Sequence, residues 1–207
     1  MKVRVYVDGF NLYYGSLKGT PFKWLDLLRL SGILAANRPI DHIRYFSARV
    51  SGKVDPTAPQ RQNAYLSALS SIPNLTAHYG KFLAGQHRMP LASPRPGGPR
   101  FADVIRTEEK GSDVNLATYL LLDGCDGLYD LAMVISNDSD LKDAVAQANS
   151  RFAPVWVFNP NVRFSNALKG AAARYLPIPA ATLAAAQFPD PVILPGGRSL
   201  SKPAMWP

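Results

Sequence analysis

The segment Tyr129–Leu141, YDLAMVISNDSDL, decides how this chain folds. Its first eight residues, Tyr129–Ser136, form an almost continuous apolar run, the pattern of a strand buried on both faces of a parallel sheet. The polar turn SNDSD follows at once, and Leu141–Asn149 continues as a helix opened by that turn. The N-terminus repeats this logic, because Val3–Asp8 alternates, is rich in valine and ends on Asp8. Between these points the apolar spacing predicts helices over Trp24–Ala36 (interrupted by Gly32), Pro56–Ile72 and Ser112–Asp123, the last with Val114, Ala117, Leu120 and Leu121 turned inward. It predicts strands over Ile40–Val50, Leu75–Phe82 and Ala153–Phe158, a short strand over Phe101–Thr107 and a short helix over Phe164–Ala172. Strands that alternate with helices define an α/β fold with a mostly parallel, doubly wound sheet.

Two stretches stand apart. Gly85–Arg100 is rich in proline, glycine and basic residues and reads as a mobile or surface-wrapping loop. Ala180–Pro207 reads as an appended tail, so the expected division is a domain over residues 1–178 and a Pro-rich C-terminal tail over 179–207.

The chain has 207 residues, 47% of them hydrophobic, enough for one well-cored domain. Its formal charge of +8 favours a polyanionic partner or an anionic surface over an acidic protein. The single cysteine, Cys125, excludes an internal disulfide and a cysteine-based zinc cage. The apolar stretch of MKVRVYVDGFN is short and broken by Arg4, so it reads as a strand and not a signal peptide. No apolar run approaches the roughly 20 residues of a membrane span. A cytoplasmic location without membrane association is the expectation.

In such a basic chain the placement of the acids carries information. Asp8 ends a strand, Asp113 begins a helix, and Asp138 and Asp140 sit in the turn after another strand. Taken singly, each has a local explanation: Asp-Gly is a turn dipeptide, and acids near helix starts act as caps or complement the helix dipole. Together they suggest more. Ligands bind α/β sheets outside the carboxyl ends of the strands, which puts Asp8 and SNDSD on the ligand side. Capping gives no reason for Asp140 two residues after Asp138. Carboxylates gathered at one edge repel, and a hard divalent cation offsets the repulsion. Magnesium and manganese take such oxygen ligands, whereas zinc prefers Cys and His, and His42, His78 and His87 are dispersed. A metal held between carboxylates suits phosphodiester hydrolysis. Asn11 is a candidate for positioning ligand or substrate, and Lys110 for contacting a phosphate.

The motifs VDGFNLYYG (Val7–Gly15), EKGSDVNLATYLLLD (Glu109–Asp123) and YDLAMVISNDSDL resemble, in order and spacing, the NYN domain family, a branch of the PIN-like nucleases. The resemblance extends over Met1–Pro177. It implies a Rossmann-like three-layer α/β sandwich and metal-dependent cleavage of RNA. It carries the acidic catalytic and metal site onto Asp8, Asp113, Asp138 and Asp140, with a supporting role for Asn11 and Mg²⁺ or Mn²⁺ as the ion.

For the RNA backbone the available cations include Arg44, Arg49, Lys53, Arg61 and Arg106, with Lys81, Arg88, Arg95 and Arg100 the first candidates. Tyr13 and Tyr14 could stack on unpaired bases. The alternative to a ribonuclease is an RNA-binding or adaptor module that keeps the fold with little or no turnover. An aspartyl-nucleophile phosphatase ranks below both, since that chemistry wants an acid two residues after Asp8, where Phe10 stands. The tail could dock on another protein or a second copy of the chain, which leaves a homo-oligomer open.

Overall fold

The computed structural model describes residues 1–206; Pro207, the last residue of the expected tail, lies outside the described residues. Strand β1 (Val3–Asp8) is the centre of the molecule. Val3, Val5 and Val7 point to one face and Tyr6 to the other, all fully buried, and burying one such apolar side chain contributes about 1.5–3 kcal/mol. On one side β1 pairs in parallel with β2 (Ile40–Ala48), which pairs with β3 (Leu75–Pro90), which carries the antiparallel β4 (Phe101–Lys110). On its other side β1 pairs with β5 (Leu131–Ile135), followed by β6 (Val155–Asn159) and β7 (Arg174–Pro177), all parallel. The seven-stranded order is therefore β4-β3-β2-β1-β5-β6-β7. Strand β7 was not foreseen, because RYLP is too short and too mixed to stand out.

Helices cover both faces, as expected for a three-layer sandwich. The first is α1 (Gly9–Leu12), continued by a wider turn over Tyr13–Leu17. Then α2 (Leu27–Leu34) and α3 (Ala58–Leu69) supply Leu27, Leu30, Tyr65, Leu66 and Leu69 to the core beneath Val3, Val5 and Val7. The opposite face of the sheet meets α4 (Ser112–Cys125), α5 (Lys142–Arg151) and α6 (Asn166–Ala171), with Leu116, Leu120, Val145 and Leu168 packed on Tyr6, Val134 and Val157. In α4 the inward stripe is Leu116 and Leu120, whereas Val114, expected inside, is exposed. No helix among the described residues is long and apolar enough to cross a membrane.

Two expectations are corrected. Only residues 91–100 of the expected Gly85–Arg100 loop are a loop; its first six residues belong to a β-arm, in which β3 runs on to Pro90 and pairs with β4 from Lys81↔Lys110 to Pro90↔Phe101. Strand β2 accompanies β3 only as far as Gly80, so the arm extends beyond the sheet for about 30 Å at roughly 3.3 Å per residue. Its Gly, Pro and basic residues read as a loop because partners on β4 are invisible to local composition. Residues 180–206, expected as an appended tail, pack on the domain. They form α7 (Ala180–Ala185) and a small hairpin of β8 (Val192–Ile193) and β9 (Ser199–Leu200). Leu183, Ala186, Phe188, Val192 and Leu194 join the same core as β1, and Trp24 Nε1 donates to the carbonyl of Pro189 at 3.1 Å. These apolar residues are too sparse and proline-broken to show a period, yet they cover apolar surface beside α2.

Candidate functional site

The strand order reverses at β1. From there the chain winds outward through β2 and β3 on one side and β5, β6 and β7 on the other, so the carboxyl ends of β1 and β5 form the topological switch point of the sheet. Asp8 closes β1 at that point and is buried, at 4% exposure. Its Oδ1 accepts the backbone N–H of Asn11 at 2.9 Å, which caps α1, and its Oδ2 accepts the hydroxyl of Ser136 at 2.9 Å. Gly9 follows because a Cβ there would lie 2.5 Å from the Tyr45 hydroxyl. The Ser136 Oγ also accepts the N–H of Asp138 at 3.1 Å, so one hydroxyl ties the end of β1 to the SNDSD turn. Asp138 in turn caps the short 3₁₀ turn Ser139–Leu141, with Oδ1 accepting Asp140 N–H at 2.9 Å.

Asn11 bridges the same two elements, its Oδ1 accepting the N–H of Asn137 at 2.9 Å and Asn161 Nδ2 at 3.3 Å. It therefore fixes the turn. Asn137, Asn159 and Asn161 extend this network to β6 and the loop after it, with Asn137 and Asn159 both donating to the carbonyl of Arg163 at 3.0 Å.

Asp113 comes from the other side. Gly111, at φ +97°, makes the left-handed turn between β4 and α4 that an L side chain resists, and Asp113 sits in the first turn of that helix. At the far end of α4, Asp123 takes a two-pronged contact from Arg44 (2.8 Å twice), one from Tyr6 (2.7 Å) and one from Arg4 (3.1 Å). Burial would raise its carboxyl, but the Arg44 and Tyr6 hydrogen bonds and the guanidinium charges hold it below the ordinary value. This clamp pins α4 to β1 and β2.

The four predicted acids feel one another. Burial pushes Asp8 up to about 7, aided by the charges of Asp113 and Asp138 and opposed by its bonds from Asn11 and Ser136. Burial likewise pushes Asp113 up to about 6, with Asp138, Glu109 and Asp140 adding repulsion. Glu109 is a fifth acid that the sequence reading left unassigned. It is the penultimate residue of β4, accepts the N–H of Ser112 at the start of α4 at 3.0 Å, and lies beside Asp113. Its position three residues before Ser112 in EKGSD was the available signal.

Among the described residues, no three His, Cys, Asp or Glu side chains converge closely enough to enclose an ion directly. The donor chemistry fits a hard cation that keeps much of its water. The acids offer only oxygen donors, Asp113 has no hydrogen-bond partner among the described residues, and the group carries mutual repulsion that a cation relieves.

The predicted substrate cations divide. Lys81 and Lys110 are exposed cross-strand partners, and Lys110 pairs with Glu108 at 3.4 Å on the face of β4 opposite Glu109. Strand alternation puts Arg88 on the same face as Phe82 and Glu109, but far out on the arm, where it stacks on Phe101. Arg44 is committed to Asp123 and Arg61 to Asp55. Next to Asp8, Phe10 stacks between Tyr14 and Phe82 with centroids 6.4 and 6.0 Å away, and Lys18 covers Tyr14.

A mostly parallel sandwich carrying acids at its switch point has the architecture of nuclease-like α/β domains. The chain belongs to the NYN domain family, which it matches over residues 2–179. It is also similar to the 6-hydroxy-3-succinoylpyridine 3-monooxygenase HspA of Pseudomonas putida (strain DSM 28022 / S16), at 30% identity over 237 residues that take in 100% of this chain and 75% of that protein. Its fold resembles the crystal structure of a protein of unknown function, VPA0982 from Vibrio parahaemolyticus RIMD 2210633. That likeness has a TM-score of 0.54 at 18% identity and covers 86% of this chain and 93% of that one.

Proposed function

We propose that the protein is a metal-dependent ribonuclease that hydrolyses RNA phosphodiester bonds at Asp8, Asp113, Asp138 and Asp140. The observation that carries this reading is the buried Asp8 at the switch point, ionising only near 7 while Asp113 and Asp138 act on it. A structural turn has no use for such a costly arrangement. Mg²⁺ or Mn²⁺ held by these carboxylates, directly or through water, supplies Lewis acidity toward a phosphoryl oxygen and a water.

Each residue then has a task. Asp8, held rigid by Asn11 and Ser136, and Asp138 present oxygens from adjacent strands, and Asp113 faces them from α4. The exposed Asp140 orients the attacking water at the rim. Asn11 keeps the two turns in register. Tyr14 and Phe82, which flank Phe10, offer ring faces to unpaired bases, which favours single-stranded RNA, and Arg88, Arg95 and Arg100 on the arm neutralise backbone phosphates.

The test is cleavage of single-stranded and structured RNA with Mg²⁺ or Mn²⁺ by the wild type, Asp8→Asn and Asp138→Asn. Loss of at least about 100-fold in each variant is expected. Undiminished cleavage by both would overturn the mechanism, and tight metal-independent binding without products would mark an RNA-binding module.

One finding favours a second reading. The similarity to HspA spans the whole chain, and that protein is named for monooxygenation of a substituted pyridine. Oxygen uptake with 6-hydroxy-3-succinoylpyridine and an added reductant, alongside intact RNA in the cleavage assay, would establish it over the ribonuclease.

A further inference from the structure

Against α1 lies a cavity of about 120 Å³ that the carboxylates do not line. Its walls are aromatic: Phe10 and Tyr13 from α1 and the turn after it, Tyr45 from β2, Tyr65 from α3, and Trp206 from the C-terminal segment. Trp206 is held in place by edge contacts to Trp24 and Tyr65, at 6.2 and 6.3 Å between centroids. The volume is of the order that accepts one benzene-sized ring.

This is not a dry packing defect. The hydroxyls of Tyr45 and Ser47 belong to its floor, and Lys23 and Arg61 bring two positive charges to its lining, which contains no acid. Arg61 is braced by Asp55 and by Thr57, whereas Lys23 has no ion-pair partner among the described residues. The Gln62 amide is already used, donating to Ala48 O at 2.8 Å and accepting Val50 N–H at 2.9 Å. A nucleobase, whose edge needs amide-like partners, finds none free there. A flat ring bearing one negative charge finds ring faces and an unpaired ammonium.

We propose that this cavity is a binding site for a small, single-ring aromatic carboxylate, with the ring between Tyr13, Tyr45, Tyr65 and Trp206 and the carboxylate at Lys23. The site needs neither RNA nor a metal ion, so it stands or falls separately from the ribonuclease reading. Gly9 and Phe10, the two residues after Asp8, belong to its lining, so an occupant sits beside the turn that Asp8 caps.

Benzoate is the probe, titrated against the full chain by tryptophan fluorescence and calorimetry, with benzyl alcohol and AMP as comparisons. Saturable benzoate binding below about 1 mM is expected, which nine non-hydrogen atoms can supply. Benzyl alcohol should bind about tenfold more weakly, and Lys23→Met should remove that preference without changing benzyl alcohol affinity. Trp206→Phe should retain binding by calorimetry and lose most of the fluorescence change. Failure of benzoate to saturate at about 10 mM, equal affinity for the acid and the alcohol, or displacement of benzoate by AMP at lower concentration would each overturn the proposal.

Discussion

Replacing Asp8 by asparagine should make the metal-free protein more stable at alkaline pH while removing the proposed RNA cleavage. Asp8 ionises at about 7 in the folded chain against an ordinary value of 3.8. Between those values the folded chain keeps a proton that the unfolded chain has released. Its contribution is therefore complete below about 3.8 and lost as the pH rises through 7. A difference of about three pH units corresponds to roughly 4 kcal/mol. Asparagine is nearly isosteric and carries no charge, so it escapes that loss, but its weaker cap on Asn11 N–H costs about 1–2 kcal/mol. The variant should be about 2–3 kcal/mol more stable than wild type at pH 8, worth roughly 5–10 °C in Tm for a chain of this size. Urea unfolding with EDTA at about pH 5 and pH 8 measures both ends, and the gap between variant and wild type should grow by about 3 kcal/mol from the lower to the higher pH. A gap that stays constant with pH, or a variant less stable than wild type at pH 8, would refute the argument and return Asp8 to the role of a turn residue. Stability gained together with activity lost is the signature of a group retained for function.

Asp123 should behave in the opposite sense: its folded carboxyl is depressed, so its contribution is present above the ordinary carboxylate value and lost as the pH falls through the folded one. Asp123→Asn leaves Arg44 without its anion and Arg4 with Asp41 alone, and should cost about 3–5 kcal/mol, read as a lower urea midpoint at pH 7. Because Asp8 and Asp113 must lose protons near 7 and 6, apparent Mn²⁺ affinity should rise at least tenfold between about pH 6 and pH 8 in calorimetric titrations; a pH-independent affinity would mean that neither binds the ion. Replacing Arg88, Arg95 and Arg100 together with alanine should flatten the salt dependence of RNA binding by about two to three units of log–log slope, with cleavage chemistry at saturating RNA unchanged. Tyr14→Ala with Phe82→Ala should weaken single-stranded RNA about 10- to 100-fold and duplex RNA little, as filter binding in EDTA would report.

The strand-turn-helix units were legible because their signals are local. Valine-rich Val3–Asp8 and the apolar run before SNDSD announce buried parallel strands, and the strand-end rule then directs Asp8, Asp138 and Asp140 to one edge. The helix start at Asp113 was legible for the same reason. What a linear reading missed depends on pairings between distant residues. Gln86–Met89 read as loop because their partners Ala102–Ile105 lie across a turn, and residues 180–206 read as tail because their sparse apolar side chains match the surface beside α2 rather than any period of their own. Arg44 looked like a phosphate contact until Asp123, 79 residues on, claimed it.

From the order of residues alone came the fold class, the acids at the strand ends and the hard-oxygen character of any ion they hold, since hydrophobic periodicity and donor chemistry are properties of short segments. The tertiary structure alone decided that Asp8 is buried beside Asp113 and Asp138, that Glu109 joins them, that Phe10 meets Tyr14 and Phe82, and that Trp206 closes a cavity against α1. Desolvation and repulsion depend on which surfaces meet, and segments far apart in the chain meet only when the sheet has formed.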